Sequence, residues 1–463
     1  MKRLFFHPTL FNITLAAALF LCAHATNTSA QEHRPQRAAA SVVRVSAAGT
    51  DASEPAVARA AARDGGVFVV WVEHGAGGAS DVWLARFDAN GRRLSTRPTR
   101  INPVAGQATA WRGDPPTVAV SPDGRQVYVG WMMRVAGYTA ATADSAVFHL
   151  SASRDGGRTF TPPVRVRDDR TPAPHGLHSL AVAEDGRIHV AWLDERGGAN
   201  VHAAHDAKAK PSGHHMEANR QVYTAYSTDG GRTFSPSRLV ARDACPCCKT
   251  SLVAGAGGRV YVSWRQVLAG DFRHIAVAAS SDGGQKFNAP VIVSDDRWML
   301  NGCPVSGASL ALGTDGVLGV VWYTAGEAGE AGIYRSESRD GGRTFAPRRP
   351  VALGKAQGTP SLLAATGEGA LVVWESRETG AAHPASARIE AGGDGGSSGA
   401  TSAHALASHG ELPDATLAGD GRLFVAYVSK QGTRRAVQLL RADVRDASAA
   451  SQAKLKRPRG ATN

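Results

Sequence analysis

Long apolar runs and cysteine are both scarce in this sequence. The sustained apolar run lies at the N-terminus and ends near Cys22, which makes it too short for a spanning helix. No later stretch is apolar enough to cross a membrane, so a transmembrane protein is not expected. Only five of the 463 residues are cysteine, yet three of them, Cys245, Cys247 and Cys248, stand within four positions. The sequence therefore raises the question of what so few cysteines do side by side.

The N-terminus predicts export. Lys2 and Arg3 precede the apolar run, and small residues typical of cleavage sites end at Ala25 and Ala30. This order indicates a secretory signal peptide over residues 1–30, followed by a disordered linker over 31–40. Cys22 is then lost with the signal, which leaves four cysteines in a periplasmic or secreted protein, where thiols are exposed to oxidation.

The positive charge is concentrated at the ends of the chain. The formal net charge is +12, but six basic residues are removed with the signal or fall in the last ten positions: Lys2, Arg3, Lys454, Lys456, Arg457 and Arg459. Without these six the net charge is +6. We therefore predict a basic disordered tail over residues 446–463, and export argues against nucleic acid as a partner.

Internal repetition is the strongest signal in the sequence. Seven stretches share a glycine-containing turn followed by an alternating apolar strand that ends on an aromatic residue, at spacings of some 50 to 70 positions typical of repeats of four short strands. A strand-like stretch precedes each of them, and 52 glycines and 23 prolines fit a β-rich, loop-rich chain. The aromatic positions are Trp71, Trp131, Trp192, Trp264, Trp322, Trp374 and Tyr427.

Four of the units continue into a motif with a physical logic of its own. After the second to fifth aromatic positions, the sequence repeats S-x-D-G-G-x-x-F at Asp155, Asp229, Asp282 and Asp340. The aspartate is suited to accept backbone N–H groups within a turn, the glycines adopt conformations that other residues resist, and the phenylalanine anchors the loop. We therefore predict four similar hairpin turns with a structural role.

These motifs resemble the Asp-box of the sialidase-type β-propellers, and the resemblance covers nearly all of the chain after the signal. It implies an all-β fold, a single β-propeller domain over residues 41–445 built from four-stranded blades. The repeat count favours seven blades, whereas the family is usually described as six-bladed. Residues 41–46 are predicted to supply the strand that the last unit lacks.

Sialidase activity is the catalytic function that this resemblance implies. Sialidases of this type clamp the substrate carboxylate with three arginines, a geometry that a guanidinium fork suits. The Arg-Ile-Pro motif of the family is absent, and no arginine triad can be assigned from the sequence. Glu195 and Glu375 are candidate catalytic acids, but we interpret them as solvated turn residues, because acids commonly line exposed turns. Whether the protein is an enzyme stays open at this point.

The cysteine run precedes the inner strand of the fourth unit, and Cys303 precedes that of the fifth. The corresponding position of the third unit holds His175 and His178. If the repeats are aligned correctly, all six side chains face one channel mouth, formed by the third to fifth blades. One interpretation is disulfide bonding, either as Cys245–Cys248 with Cys247–Cys303 or as a single bond to Cys303, since a bond between adjacent cysteines is strained.

The alternative interpretation is a site for a soft metal. Thiolates beside imidazoles suit Cu(I), so copper is the candidate cofactor. A histidine-rich insert in the third unit supplies a candidate accessory loop, with His202, His205, His214, His215 and Met216.

The spacing of CxCC and GCPV also resembles a subgroup of exported sialidase-like proteins without an established activity. The sequence thus predicts a binding protein for a metal ion or a glycan, with exo-sialidase or another glycoside hydrolase as the first alternative and an envelope scaffold stapled by disulfides, with a protein partner, as the second.

Overall fold

The chain forms a series of antiparallel sheets with short connections. A computed structural model describes residues 40–60, 65–134, 146–168, 175–196, 219–300, 302, 304–365, 369–389, 400 and 403–443. Within these residues the fold is all-β, and the helical elements are single 3₁₀ turns at Ala76–Gly78 and Ala256–Gly258. None of the described helices is long and apolar enough to span a membrane. The predicted signal peptide and basic tail lie outside the described residues.

Each sheet begins with an inner strand, whose first residues lie near the inner strands of the neighbouring sheets. Consecutive inner strands contact one another along the chain, and the last of them, β27, contacts the first, β2. The inner strands are β2 (Asp51–Arg59), β7 (Thr117–Val120), β11 (His175–Val182), β15 (Ser251–Ala254), β19 (Ala308–Leu312), β23 (Ala356–Ala365) and β27 (Glu411–Leu417).

The second strand of each sheet carries the aromatic residue that the repeat predicts. The six tryptophans of the repeat are at most 1% exposed, and Tyr427 is 4% exposed. Every side chain of this set therefore lies in the core. The second strands are β3 (Val67–His74), β8 (Val127–Arg134), β12 (Ile188–Asp194), β16 (Val260–Leu268), β20 (Leu318–Thr324), β24 (Gly369–Ser376) and β28 (Leu423–Gln431).

The third and fourth strands complete the sheets. The third strands are β4 (Ser80–Phe87), β9 (Ala146–Ser153), β13 (Arg220–Ser227), β17 (Phe272–Ser280), β21 (Gly332–Ser338), β25 (His383–Ile389) and β29 (Arg434–Ala442). The fourth strands are β5 (Thr99–Arg100), β10 (Val164–Arg165), β14 (Arg238–Ala244), β18 (Val291–Ile292), β22 (Arg349–Leu353) and β26 (His404–Ala405). A further short strand, β6 (Ala108–Thr109), pairs with β8 beyond the end of β7. The sheets of β11–β14 and β15–β18 are joined by one bridge between Ala244 and Gln266.

The last sheet takes its outer strand from the beginning of the described chain. Strand β1 (Ser41–Arg44) pairs antiparallel with β29, so that Ser41 lies opposite Arg441. The resulting order is β1-β29-β28-β27. This is the pairing that the sequence predicted for residues 41–46.

The core lies between neighbouring sheets. One cluster of buried residues joins Phe68 and Val70 of β3 to Val127, Val129 and Trp131 of β8. The other sheet-to-sheet clusters combine two sheets in the same way. Alternation along each strand explains this arrangement, because successive side chains point to opposite faces and both faces of each sheet are covered.

Candidate functional site

A pocket of about 280 Å³ opens where the inner strands begin. Every inner strand contributes one residue to the pocket lining at the equivalent position. This residue pairs with the residue of the second strand that comes immediately before the buried aromatic residue. Six of these seven side chains carry oxygen. The set is Ala56, Thr117, Ser179, Ser251, Ser309, Ser361 and Asp414.

Several members of this ring join one sheet to the next. The Ser251 hydroxyl accepts the Leu310 N–H at 3.1 Å, and the Ser309 hydroxyl accepts the Leu362 N–H at 3.1 Å. Asp414 Oδ2 accepts the Val57 N–H at 2.8 Å, which links the last sheet to the first. These oxygens satisfy buried backbone donors, so they have a structural role at the floor of the pocket.

Bulges in the inner strands shape the rim of the pocket. Strands β2, β11, β23 and β27 shift register just before the ring residue. Each bulge contains a residue with positive φ, namely Glu54, Leu177, Gly358 and Leu412. Such conformations are strained for residues other than glycine, and bulges commonly re-aim side chains beside binding sites. The strands thus turn different side chains toward the same opening.

The carboxylates that line the pocket are already engaged in structural contacts. Glu54 Oε2 lies 2.6 Å from His74 Nε2. Glu375 is buried and accepts the Leu412 N–H at 3.0 Å, as well as hydrogen bonds from Gln357 and Arg377. The interpretation of Glu375 as a solvated turn residue was therefore wrong: it lies buried within strand β24 and connects the last two sheets.

One lysine contributes positive charge to the pocket wall. Lys249 follows the cysteine run directly and lines the pocket. Burial lowers the pKa of Lys249, and the nearby carboxylates of Asp114 and Asp414 act in the opposite direction. Burial in turn raises the pKa of Asp414. The charge of the lysine therefore interacts with the charges of both acids.

A turn at residues 111–114 forms a distinct part of the rim. The Asp114 N–H donates to the Trp111 carbonyl at 2.8 Å, which closes the turn. The Trp111 ring lies against Gly113, and Trp111 is 44% exposed. A Cβ atom added at Gly113 would come within 2.3 Å of the ring. Arg112 and Gly113 line the pocket, and Arg112 is exposed, with no hydrogen bond or ion pair among the described residues. Sequence reasoning missed this turn, although WRGDPP interrupts the repeat visibly.

The cysteines form a buried cluster behind the pocket wall. The sulfur atoms of Cys245, Cys247 and Cys248 all lie within 4.8 Å of one another, and the three residues are at most 3% exposed. Val305 packs against the cluster and also lines the pocket. The cluster thus contacts the pocket through a single layer of side chains.

The three cysteines are in different chemical states. Cys245 and Cys248 are free thiols, whereas Cys247 is disulfide-bonded. The expected bond between Cys245 and Cys248 is therefore not present. The partner expected from the sequence, Cys303, lies outside the described residues.

The two free thiols differ in acidity. A hydrogen bond from the Cys248 thiol is the main cause that lowers the pKa of Cys245 to about 6, and the charges of Arg273 and Arg265 lower it further against the effect of burial. Burial raises the pKa of Cys248, and its contact with Cys245 adds to the rise. Cys245 is therefore the more acidic thiol of the pair.

The structure does not bring the predicted histidines to the cysteine cluster. Asp114 Oδ1 lies 2.9 Å from His178 Nδ1, and His178 Nε2 contacts the Gly130 carbonyl at 3.2 Å. His175 Nε2 accepts the Phe148 N–H. Among the described residues, the group of potential metal ligands within 4.8 Å of one another contains only the three cysteines. The accessory residues His202, His205, His214, His215 and Met216 lie outside the described residues, and copper binding stays a prediction.

The S-x-D-G-G turns lie at the opposite end of the strands from the pocket. In the second sheet, Ser153 pairs with Val127, which pairs with the last residue of β7, whereas the first residue of β7, Thr117, lines the pocket. All four serines donate to their aspartates at 2.8 Å. Each aspartate also accepts backbone N–H groups within its own turn. Glu195 is half-buried and accepts a hydrogen bond from Arg220 at 2.9 Å.

Comparisons with known proteins identify the fold alone. No protein family model and no curated protein matches the chain. Among solved structures, an ulvan lyase solved with a bound saccharide is 11% identical, covers 87% of this chain and 98% of its own, and has a TM-score of 0.51. The polysaccharide lyase Uly1 is 12% identical over 84% of this chain and 90% of its own, with a TM-score of 0.50.

Sialidases are also among the similar structures. NanB sialidase from Streptococcus pneumoniae is 10% identical, covers 88% of this chain and 95% of its own, and has a TM-score of 0.45. The described chain is all-β, and the two polysaccharide lyases, with TM-scores of 0.50 and 0.51, are similar to it in fold. At this low identity, function rests on the residues of the site.

Proposed function

We propose that this protein is an exported seven-bladed β-propeller that binds an acidic saccharide in the pocket where its inner strands converge. The contact of β27 with β2 and the pairing of β1 with β29 support a closed ring of seven sheets. Export rests on the N-terminal sequence.

The turn at residues 111–114 carries the proposal. The exposed Trp111 ring offers an apolar face of the kind that packs against the C–H groups of a sugar. Beside it, the guanidinium of Arg112 is not committed to any described partner. A planar guanidinium binds carboxylate or sulfate through two parallel hydrogen bonds, so an apolar platform next to a free arginine fits an acidic sugar.

The volume and charge of the pocket fit the same class of ligand. A cavity of about 280 Å³ is at the small end for ligand sites and suits one or two sugar rings. Its carboxylates are engaged by neighbouring residues, and Lys249 interacts with the charges of Asp114 and Asp414, whereas Arg112 has no such partner among the described residues. The ulvan lyase of similar fold was solved with a bound saccharide that contains GlcA.

Hydrolysis is not part of this proposal. Arg112 is the single arginine that lines the described part of the pocket, so the three-arginine clamp of sialidases is not assembled there. Glu54 and Glu375, the glutamates of the pocket, are held by hydrogen-bonding neighbours. We expect no release of product from a fluorogenic sialoside, and turnover that depends on Glu375 would show instead that the pocket is catalytic.

Titration calorimetry tests binding with three probes: glucuronic acid, N-acetylneuraminic acid and glucose. We expect the acids to bind at least about tenfold more tightly than glucose, because a charge-assisted hydrogen bond contributes about 1.5–3 kcal/mol. Arg112→Gln should remove this preference, and Trp111→Ala should weaken binding of all probes. Arg232→Gln, at a distant turn, is the matched control. Equal affinity for acids and glucose, or wild-type affinity in Arg112→Gln, would overturn the proposal.

A further inference from the structure

Two free thiols lie side by side in the interior of the protein. Cys245 is 1% exposed, Cys248 is fully buried, and their sulfur atoms lie within 4.8 Å of each other. The backbone turns at Pro246 and Cys247, and a turn brings Cα atoms three positions apart to within about 7 Å. The turn thus places together two sulfur atoms that are not bonded, whereas the sulfur of Cys247 is already bonded.

Backbone N–H groups donate to both of these sulfur atoms. The Cys247 N–H donates to Cys245, and the Ser306 N–H donates to Cys248. Hydrogen bonds of this kind stabilise a sulfur atom that carries negative charge. Ser306 is fixed in turn, because its carbonyl accepts hydrogen bonds from Nε and Nη2 of Arg265 at 3.1 and 3.0 Å. The surroundings of the two sulfurs therefore suit thiolates.

Two buried arginines bring positive charge to the same place. Arg265 is fully buried and donates to backbone carbonyls. Arg273 is 3% exposed, and its Nε and Nη1 atoms have no hydrogen-bond partner among the described residues. Neither guanidinium forms an ion pair with a carboxylate in this part of the structure, although buried charges are usually paired. The charges of both arginines act on Cys245, so negative charge at the sulfurs would compensate them.

We propose that Cys245 and Cys248 form a two-coordinate thiolate site for a soft monovalent cation, with Cu⁺ as the ion to be tested. The ion replaces the two thiol protons, which pass to solvent, and no electron is transferred. Two thiolates and one Cu⁺ carry a net charge of minus one, which the neighbouring guanidinium groups stabilise. Thiolate sulfur selects Cu⁺ over harder ions, and burial keeps solvent away from it.

The number of ligands distinguishes this ion from a divalent one. Structural zinc sites use four protein ligands, and catalytic zinc sites use three. In the described part of the chain, no histidine or carboxylate joins the cysteine sulfurs within 4.8 Å. Two thiolates alone leave Zn²⁺ short of ligands, whereas they are sufficient for Cu⁺. The ligand set also differs from the one that the sequence suggested, because no histidine takes part.

The proposed metal site is separate from the saccharide pocket. Val305 packs against the cysteine cluster on one side and lines the pocket on the other, so the two sites do not share a ligand. The proposal does not require that the pocket binds a sugar. Arg112→Gln, which should abolish the preference for acidic sugars, should therefore bind Cu⁺ as the wild type does.

Metal titration of the full-length protein and of three variants tests the proposal. Cu⁺ is supplied without oxygen from a coloured Cu⁺ chelator, in the absence of thiol reductants so that the bond of Cys247 stays intact, and Zn²⁺ is titrated in parallel. Cys245→Ser and Cys248→Ser each remove one ligand from a buried position. Val267→Ala is the matched control, because Val267 packs in the same cluster and carries no metal-binding atom.

The wild type should hold one equivalent of Cu⁺ that both cysteine variants bind at least about 100-fold more weakly, since even residues that only orient a metal ligand contribute 10–100-fold. Val267→Ala should retain this equivalent, and ions held elsewhere in the chain should stay bound in every variant. Wild-type affinity in either cysteine variant, an equal loss in Val267→Ala, or equally tight Zn²⁺ binding would overturn the proposal.

X-ray absorption at the copper edge keeps the proposal testable if a cysteine variant does not fold. The measurement uses the wild-type protein loaded with one equivalent of Cu⁺. Two sulfur neighbours without nitrogen or oxygen would support the site, and any other set of neighbours would overturn it.

Discussion

The two ends of the strands differ in how strictly they repeat. At one end, four turns share the same sequence and the same 2.8 Å contact from serine to aspartate. At the other end, four of the seven ring residues at the floor of the pocket are serine, but the rim differs from sheet to sheet, with Glu54, Lys249 and Leu412 among its residues. The backbone and the ring are repeated from sheet to sheet, whereas the rim of the pocket is not.

This difference separates structural residues from residues that can serve a ligand. A turn that satisfies its own backbone donors can be copied from sheet to sheet, because its bonds are local. Residues at the rim of the pocket come from different sheets. Their residue types can differ from sheet to sheet, because the ring beneath them holds the sheets together. Substitutions at the ring, at a turn and at the rim should therefore have effects of decreasing size on stability.

The largest effect is expected at Asp414, where the ring links the last sheet to the first. Asp414→Ala removes the acceptor of the buried Val57 N–H and should lower the free energy of unfolding by about 2 kcal/mol. Urea denaturation at neutral pH, followed by tryptophan fluorescence, measures the change. Asp414→Asn keeps an oxygen in place and serves as the control, with a smaller expected loss. An equal loss in both variants would mean that charge, and not the hydrogen bond, matters at this position.

A smaller effect is expected at Asp229 in one of the repeated turns. Asp229 Oδ1 accepts the N–H groups of Arg232 and Thr233 at 3.0 Å, as a capping residue does. Asp229→Ala should therefore lower the free energy of unfolding by about 1 kcal/mol in the same urea assay at pH 7. Asp229→Asn preserves one acceptor and should lose less; a larger loss in Asn than in Ala would contradict the account.

The same turn predicts a dependence on pH. Desolvation raises the pKa of Asp229, but hydrogen bonds from Thr233, Ser227 and Arg232 outweigh it and lower the pKa to about 2. Because the folded-state pKa lies below the unfolded value, the stabilisation is present above about pH 4 and is lost as the pH falls toward 2. The stability difference between wild type and Asp229→Asn should therefore shrink over this range. A constant difference down to pH 2 would contradict it.

The smallest effect on stability is expected at Arg112 on the rim. Its side chain is exposed and makes no hydrogen bond or ion pair with the described residues, so Arg112→Gln should change the free energy of unfolding by less than about 0.5 kcal/mol. The urea assay used for Asp414→Ala checks this value. A loss as large as that at Asp414 would show that Arg112 is part of the structure, and its effect on ligand affinity would then need another explanation.

Sequence reasoning identified the features whose causes are local. Alternation and glycine turns located the second strands and their buried aromatics, and the S-x-D-G-G spacing located the four turns. The pairing of residues 41–44 with the last sheet was also predicted, because that unit lacked a strand. The strands and turns follow from short-range patterns, and the pairing of residues 41–44 follows from the strand that the last unit lacks.

The site was less accessible from the sequence because its contacts join distant units. Glu375 was interpreted as solvated, since nothing near it in sequence shows that the Leu412 N–H binds it. The alignment of repeats brought the cysteines to the wall of the pocket but also suggested that His178 joins them. In the structure, contacts with Asp114 and Gly130 hold that ring in a neighbouring sheet. Bulges in the inner strands shift side chains in ways that a repeat alignment does not represent.

The pairing of β1 with β29 has a consequence for synthesis. Ser41 and Arg441 are about 400 residues apart, so a chain that emerges N-terminus first carries an unpaired strand until almost all of it has been made. While the chain is being made, β29 has not yet formed. Once β29 has formed, its outer edge presents free backbone donors and acceptors until β1 pairs with it. Completion of the last sheet is therefore the step at which a nascent chain competes with its neighbours, since residues 41–44 of another copy can pair with the same edge.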